Sequence, residues 1–322
     1  MRSVFNSVLF AVCAILVTVC SGIEAIDETE TPAPLIGDPE EPYAPAREPQ
    51  LGDILHMPTG LYVEQEQMLE AVTDHRIVYV GETHDNPASH RLQLQVLQAM
   101  VERYPGQVAL GMEMFTPKQQ VALDRWVAGE LDETNFLREA NWRQVWGDDF
   151  GYYRELLELC RDNGVLIVGL NADKSLTRAV SRSEPAELSE ALQEQLPDMS
   201  LIDSYQQAMA EAVFGKHGPG PHTEGFKRVQ TLWDQAMAEN AARFLKSEKG
   251  KGRRLVVAAG GNHVQYGYGI PRRLFRLLPV SYCLVGTEEI VIPEEKKHQI
   301  MDVEMPRFPM CAFDYVVYCE YE

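Results

Sequence analysis

The sequence predicts an α/β protein: a mostly parallel sheet flanked by helices, with a smaller all-helical cap domain. Three observations predict it. Residues 77–80 (IVYV), 108–112 (VALGM), 165–170 (VLIVGL) and 255–259 (LVVAA) are short apolar runs without polar alternation, as expected of strands covered on both faces. Between the first three lie stretches with helical spacing, the crossover that parallel strands require. Residues 174–249 carry no strand signal and break into several helical runs.

Taken in order, the chain opens on a targeting segment. Arg2 precedes the apolar run 8–20 (VLFAVCAILVTVC), which is shorter than a membrane span of about 20 residues, and small or polar residues follow. Residues 1–25 therefore read as a secretory signal. Two processing routes are open: cleavage near Ala25, or lipid attachment at Cys20, which follows Val17, Thr18 and Val19. Either route exports the body of the protein. Residues 26–50 are rich in Pro, Glu and Asp, a composition that buries too little apolar surface to order itself, and they read as a disordered acidic linker.

The α/β core is expected over residues 51–173 and 250–322, with the helical insertion 174–249 as the cap. Asp53, Ile54 and Leu55 suit a short edge strand. Leu61, Val63, Met68, Leu69 and Val72 have helical spacing, and a helix over 89–104 returns to the second strand through Pro105 and Gly106. Thr116 and Pro117 open another helix as N-cap and first residue. Trp142 and Trp146, four apart, share a helix face and are expected to pack against the sheet. Inside the insertion, 215–225 (GKHGPGPHTEG) is held out of regular structure by Gly and Pro and carries His217 and His222. Residues 282–285 and 314–319 complete the strands, the last at the sheet edge.

Composition narrows the function. The chain has 322 residues, 45% of them hydrophobic, and a formal charge of −19, which argues against nucleic acid or anionic membranes as partners. Beyond the signal there are four cysteines, Cys160, Cys283, Cys311 and Cys319, with neither CxxC spacing nor a disulfide framework.

The chemistry gathers at the carboxyl ends of the apolar runs. Glu82 and His84 follow the first, Glu113 the second, Asn171 the third and His263 the fourth. In a parallel sheet these ends share one edge, where open α/β sheets build their ligand sites. Glu82, His84, Glu113 and His263 are also adequate ligand types for Zn, Mn or Fe, with a carboxylate left as a general base, although the ExH spacing is no helical metal motif.

Four phrases, IVYVGETHDNPASH, ALGMEMF, QTLWDQAMA and AGGNHVQYGYGIPRRL, taken together over about residues 52–278, resemble the ChaN-like haem-binding lipoproteins, grouped with erythromycin esterase and the Tiki proteins. The resemblance implies an α/β domain with a smaller helical domain and an exported lipoprotein of the periplasm or outer membrane. It further implies haem held between subunits of a homodimer for iron uptake, with an outer-membrane haem receptor as a partner. A Tyr ligating iron, with His and Lys at the propionates, would correspond to Tyr266 or Tyr268 and to His84, His263, His217 and His222. The chain departs from the pattern at Phe226, where a Tyr would be sought. Two functions follow: a haem-binding uptake protein, in which phenolate suits ferric haem, or a metal-dependent hydrolase built on Glu82, His84, Glu113 and His263.

Overall fold

A computed structural model describes residues 43–214, 221–299 and 305–322. The signal at 1–25 and His217 lie outside the described residues, as does the linker up to residue 42. Eight strands form one sheet: β1 Ile54–His56, β2 Leu61–Val63, β3 Ile77–Glu82, β4 Val108–Met112, β5 Leu166–Gly169, β6 Arg254–Gly260, β7 Tyr282–Val291 and β8 Tyr315–Glu320. Their spatial order is β2-β1-β8-β7-β3-β6-β4-β5. The six strands from β8 to β5 run parallel, and β1 and β2 add an antiparallel margin.

The helices are α1 Gln65–Thr73, α2 Pro87–Arg103, α3 Gln120–Val127, α4 Glu133–Glu139, α5 Trp142–Val145, α6 Gly151–Asn163, α7 Lys174–Arg182, α8 Glu190–Gln193, α9 Ser204–Phe214, α10 Pro221–Lys246, α11 Gly261–Val264 and α12 Ile270–Leu277. Strand β3 shows why both faces are covered: Val78 and Val80 join the cluster under α2, α3 and α6, while Ile77 and Tyr79 join the one under α10 and α12. Alternate residues of a strand point to opposite faces, so an all-apolar run needs helices on both sides.

Several expectations change in the structure. The 315–320 strand is not at the edge but between β1 and β7, because β1 and β2 pair on outside it. Leu61 and Val63 belong to a strand rather than to the following helix: Gly60, at φ 63°, reverses the chain and sets β2 against β1. The Gly-Pro stretch is helical from Pro221 onward, so His222 sits exposed on the first turn of α10 instead of in a loop. Order also reaches back into the linker. Arg47 stacks on the Tyr62 ring at 4.1 Å and pairs with Asp53, which ties residues 43–50 to the sheet margin. All four described cysteines are free, with Cys160 and Cys283 buried.

Candidate functional site

Strand β6 follows both β3 and β4 in the chain and slots between them. The carboxyl ends of β3, β6 and β4 therefore lie side by side, with Glu82 opposite Gly260 in the ladder. Each strand ends on a site residue or one just before it. Glu82 closes β3, Glu113 follows β4, and β6 runs into the one-turn helix α11 that carries His263.

Glu82 is buried and its carboxyl group has three close partners. Its Oε1 accepts from Tyr153 Oη at 2.7 Å and lies 2.7 Å from His84 Nδ1, and its Oε2 accepts from Gln93 Nε2. His90 and Gln93 fall three apart on α2 and so face the same way, back toward the strand end. His90 Nδ1 is 3.7 Å from Glu82 Oε2, its Nε2 bonds the His84 carbonyl at 2.9 Å, and its ring stacks on Tyr152. Asn86 caps α2 through Ala88 N, with Pro87 as its first residue, which fixes the short loop holding His84.

The second half of the floor is a chain of three ionisable groups. Gly260 N donates to Glu113 Oε2 at 2.7 Å, and Glu113 Oε1 lies 3.3 Å from His263 Nε2. On the other side of the ring, His263 Nδ1 is 2.6 Å from Asp234 Oδ1 on α10. Glu113, His263 and Asp234 are all buried. The halves meet at Gly260: a Cβ there would lie 2.9 Å from His84 Cε1 and 3.5 Å from Glu113 Oε2, so only glycine lets the imidazole approach the end of β6.

Charge follows from this geometry. Burial pulls the His84 pKa down, but the hydrogen bond to Glu82 and the fields of Glu113 and Glu82 outweigh it and raise the group to about 9. Burial likewise works against ionised Glu113, yet His263, His84 and the Gly260 N–H hold it at about 2. His263 is desolvated, and its two flanking carboxylates still push it well above the ordinary histidine value. Asp234 is raised by its complete burial, against the pull of His263 and Arg273. At neutral pH both floor imidazoles are cations.

Above the floor opens a cavity of about 980 Å³. Trp146, Phe226, Trp233, Met114 and Phe313 supply apolar wall, and Lys174 and Arg178, one turn apart on α7, supply positive charge. Glu82, His84, Glu113 and His263 all line it, as does Asn171, whose Oδ1 accepts from Ala172 N. Both tryptophans expected to pack do so: Trp142 against Phe150 and Phe115, and Trp146, partly buried, against the same cluster, where it also turns edge-on to His84 and lines the cavity.

Tyr266 and Tyr268 are elsewhere. They stack on each other at 5.9 Å, meet Phe308, and line a separate pocket of about 240 Å³ with Tyr205, Arg272 and Phe275. Among the described residues no tyrosine lines the larger cavity. Nor do three His, Cys, Asp or Glu side chains come together there, among the described residues, as a group able to hold a metal ion. Glu82, His84, Glu113 and His263 share an edge but are spent in pairs on one another.

Sequence reasoning did not single out Asp234, His90, Gln93 or Tyr153. The signal for Asp234 was an acid set inside the apolar phrase QTLWDQAMA, and for His90 and Gln93 their helical spacing just after a strand end.

The family model described as haem-binding uptake, Tiki superfamily, ChaN matches residues 68–274. The structure entitled cofacial heme binding to ChaN of Campylobacter jejuni covers 84% of this chain and 98% of its own at a TM-score of 0.61 and 15% identity, a likeness of fold. An erythromycin esterase mutant in its open conformation matches 70% of this chain and 73% of its own, with a TM-score of 0.44 and 15% identity. Protein RETICULATA-RELATED 5, chloroplastic, of Arabidopsis thaliana is 25% identical over 72% of this chain, which spans about a third (34%) of that relative's length. The chain belongs to the ChaN family of the Tiki superfamily.

Proposed function

We propose that this ChaN-family member is a haem-binding protein whose cavity at the strand edge takes the porphyrin, held chiefly by its carboxylates. The observation that carries the reading is the pairing of an aromatic-walled cavity with cations on an otherwise acidic chain. A volume of about 980 Å³ lies at the upper end of the roughly 300–1,000 Å³ typical of ligand sites. Trp146, Trp233 and Phe226 offer flat apolar surface, and Lys174, Arg178 and protonated His84 offer donors to propionates.

The donor set fits the porphyrin body and its carboxylates better than it fits the iron. His84 Nδ1 is committed to Glu82, and with a pKa of about 9 the ring must lose a proton before it can ligate a metal at neutral pH. Bound haem would supply ferric iron, and His84, the more exposed of the two floor imidazoles, would be the group able to ligate it, more strongly as pH rises toward 9. Hemin titration followed at the Soret band tests the reading. Saturable binding lost in Trp146→Ala and in the Lys174→Ala, Arg178→Ala double variant supports it. Loss in Tyr266→Phe or Tyr268→Phe instead, with the cavity variants intact, would move the ligand to the smaller pocket. A featureless titration sinks haem binding altogether.

The metal-dependent hydrolase stands second. A protonated imidazole is a poor general base, and the carboxylates are engaged with histidines. Stoichiometric Zn, Mn or Fe in protein purified without chelator, lost in His84→Ala and His263→Ala, would reverse the order. Export to the periplasm or outer membrane, lipidation at Cys20, assembly of a homodimer on haem and delivery from an outer-membrane receptor complete the proposal. The mass of the mature N-terminus and light scattering with and without hemin test the covalent and oligomeric parts.

A further inference from the structure

We infer that Asp234 is the positioning residue for His263, and that Gln206 and the buried guanidinium of Arg273 hold it in that role. The helical segment thereby contributes an anchor to a site otherwise built from the ends of β3, β4 and β6. Asp234 is 0% exposed in the middle of α10 and presents one oxygen to each neighbour. Its Oδ1 lies 2.6 Å from His263 Nδ1, and its Oδ2 accepts from Gln206 Nε2 on α9. The Gln206 carbonyl is taken in turn by Arg273 Nη2 of α12 at 2.8 Å. Arg273, 1% exposed, is itself fixed by the Leu201 carbonyl at 2.8 Å. His263, Arg273 and, farther off, Glu113 are the charged groups that face Asp234.

The geometry sets a direction for every hydrogen bond. With its carbonyl committed to Arg273, Gln206 can offer Asp234 only its amide N–H, so Oδ2 must accept. Oδ1 is left as acceptor for His263, whose imidazolium offers Nδ1–H to it and Nε2–H to Glu113. A buried carboxylate is costly unless its oxygens are bonded and its charge is offset: here an imidazole and an amide each take one oxygen, and the Arg273 guanidinium acts on the charge from nearby. The backbone enforces the approach: a Cβ at Gly269 would lie 2.3 Å from the His263 carbonyl and 3.2 Å from Asp234 Oδ1, so the turn after α11 seats His263 against α10 only with glycine there.

The ligand arm of the test rests on the haem reading, and the imidazole arm does not. In ¹⁵N-labelled wild-type protein without ligand, His263 should show an exchange-protected, downfield Nδ1 proton. Its absence overturns the inference, whatever any variant does. In Asp234→Asn an amide NH₂ must face either the Gln206 amide or His263 Nδ1–H, a donor against a donor on either side. The clash is relieved when His263 gives up its Nδ1 proton and keeps the one on Nε2 toward Glu113, so the ring ¹⁵N shifts should report a neutral Nε2–H imidazole in place of the imidazolium. An unchanged, doubly protonated ring in folded Asp234→Asn overturns the inference. Hemin affinity should fall about tenfold or more in this variant, the usual cost of removing an orienting partner. A ring deprotonated at Nδ1 with unchanged affinity would overturn the link to the ligand. Failure of wild type to bind hemin would remove the haem proposal and leave the imidazole result to decide the rest.

Discussion

Two histidines meet carboxylates at one sheet edge, and their surroundings differ. His84 pairs with Glu82, two residues away on the same strand end, and its side chain is 42% exposed toward the cavity. His263 is 4% exposed and sits between Glu113, from the end of β4, and Asp234, from α10. The first pair is local and faces whatever enters; the second is assembled from three distant parts of the chain and faces protein. A group meant to meet a ligand needs a tuned charge and room, whereas one that locks elements together needs complete satisfaction in a dry place. On this view His84 handles ligand and His263 holds the floor that His84 rests on.

The sharpest break of that comparison is stability. His263→Ala leaves two buried carboxylates without their cation and should cost about 3–5 kcal/mol in urea unfolding. His84→Ala leaves Glu82 bonded to Tyr153 and Gln93, so its cost should stay near 1 kcal/mol. Equal costs would erase the distinction between the two histidines. Hemin affinity should respond in the reverse proportion to folding, through loss of the His84 cation rather than through unfolding.

Gly260→Ala comes next. The added methyl meets His84 Cε1 at 2.9 Å and Nε2 at 3.0 Å, so the ring must swing out. A loss of about 1–3 kcal/mol is expected from overpacking, together with weaker hemin binding and a His84 NMR titration closer to the ordinary value. An unmoved His84 titration would show that its partners do not depend on the close approach to β6.

The pH profile of stability sharpens the comparison further. His84 is raised from 6.5 to about 9, so its contribution is fully present below about 6.5 and is lost as pH rises toward 9. Glu113 is lowered from 4.5 to about 2, so its contribution is present above 4.5 and is lost as pH falls toward 2. Melting temperature should therefore be highest between these limits. The His84→Ala variant should flatten the alkaline limb and keep the acid limb; a profile unchanged on both sides would contradict the coupling. Tyr153→Phe should cost as little as His84→Ala, about 1 kcal/mol, because Glu82 keeps two of its partners.

Much of this was legible in the sequence. The runs around Val78, Leu110, Ile167 and Val257 announce buried parallel strands, because a strand covered on both faces admits no polar residue. Their ends announce Glu82, His84, Glu113 and His263, because a parallel sheet delivers all its carboxyl ends to one edge and polar groups cannot continue a buried strand. What the chain by itself did not determine is who pairs with whom. The periods of helix and strand encode which side of an element is buried, and they say nothing about which helix face meets which strand end. Asp234 thus reads as a stray acid in an apolar helix until α10 packs behind α11 and brings Gln206 and Arg273 with it. Tyr266 and Tyr268 follow His263 closely in sequence and still leave the cavity, because the chain turns at Tyr266, φ 58°, and sends both rings to Phe308. Local pattern fixes burial, but a buried polar group acquires its partner, and with it its charge and role, only when distant segments have come into contact.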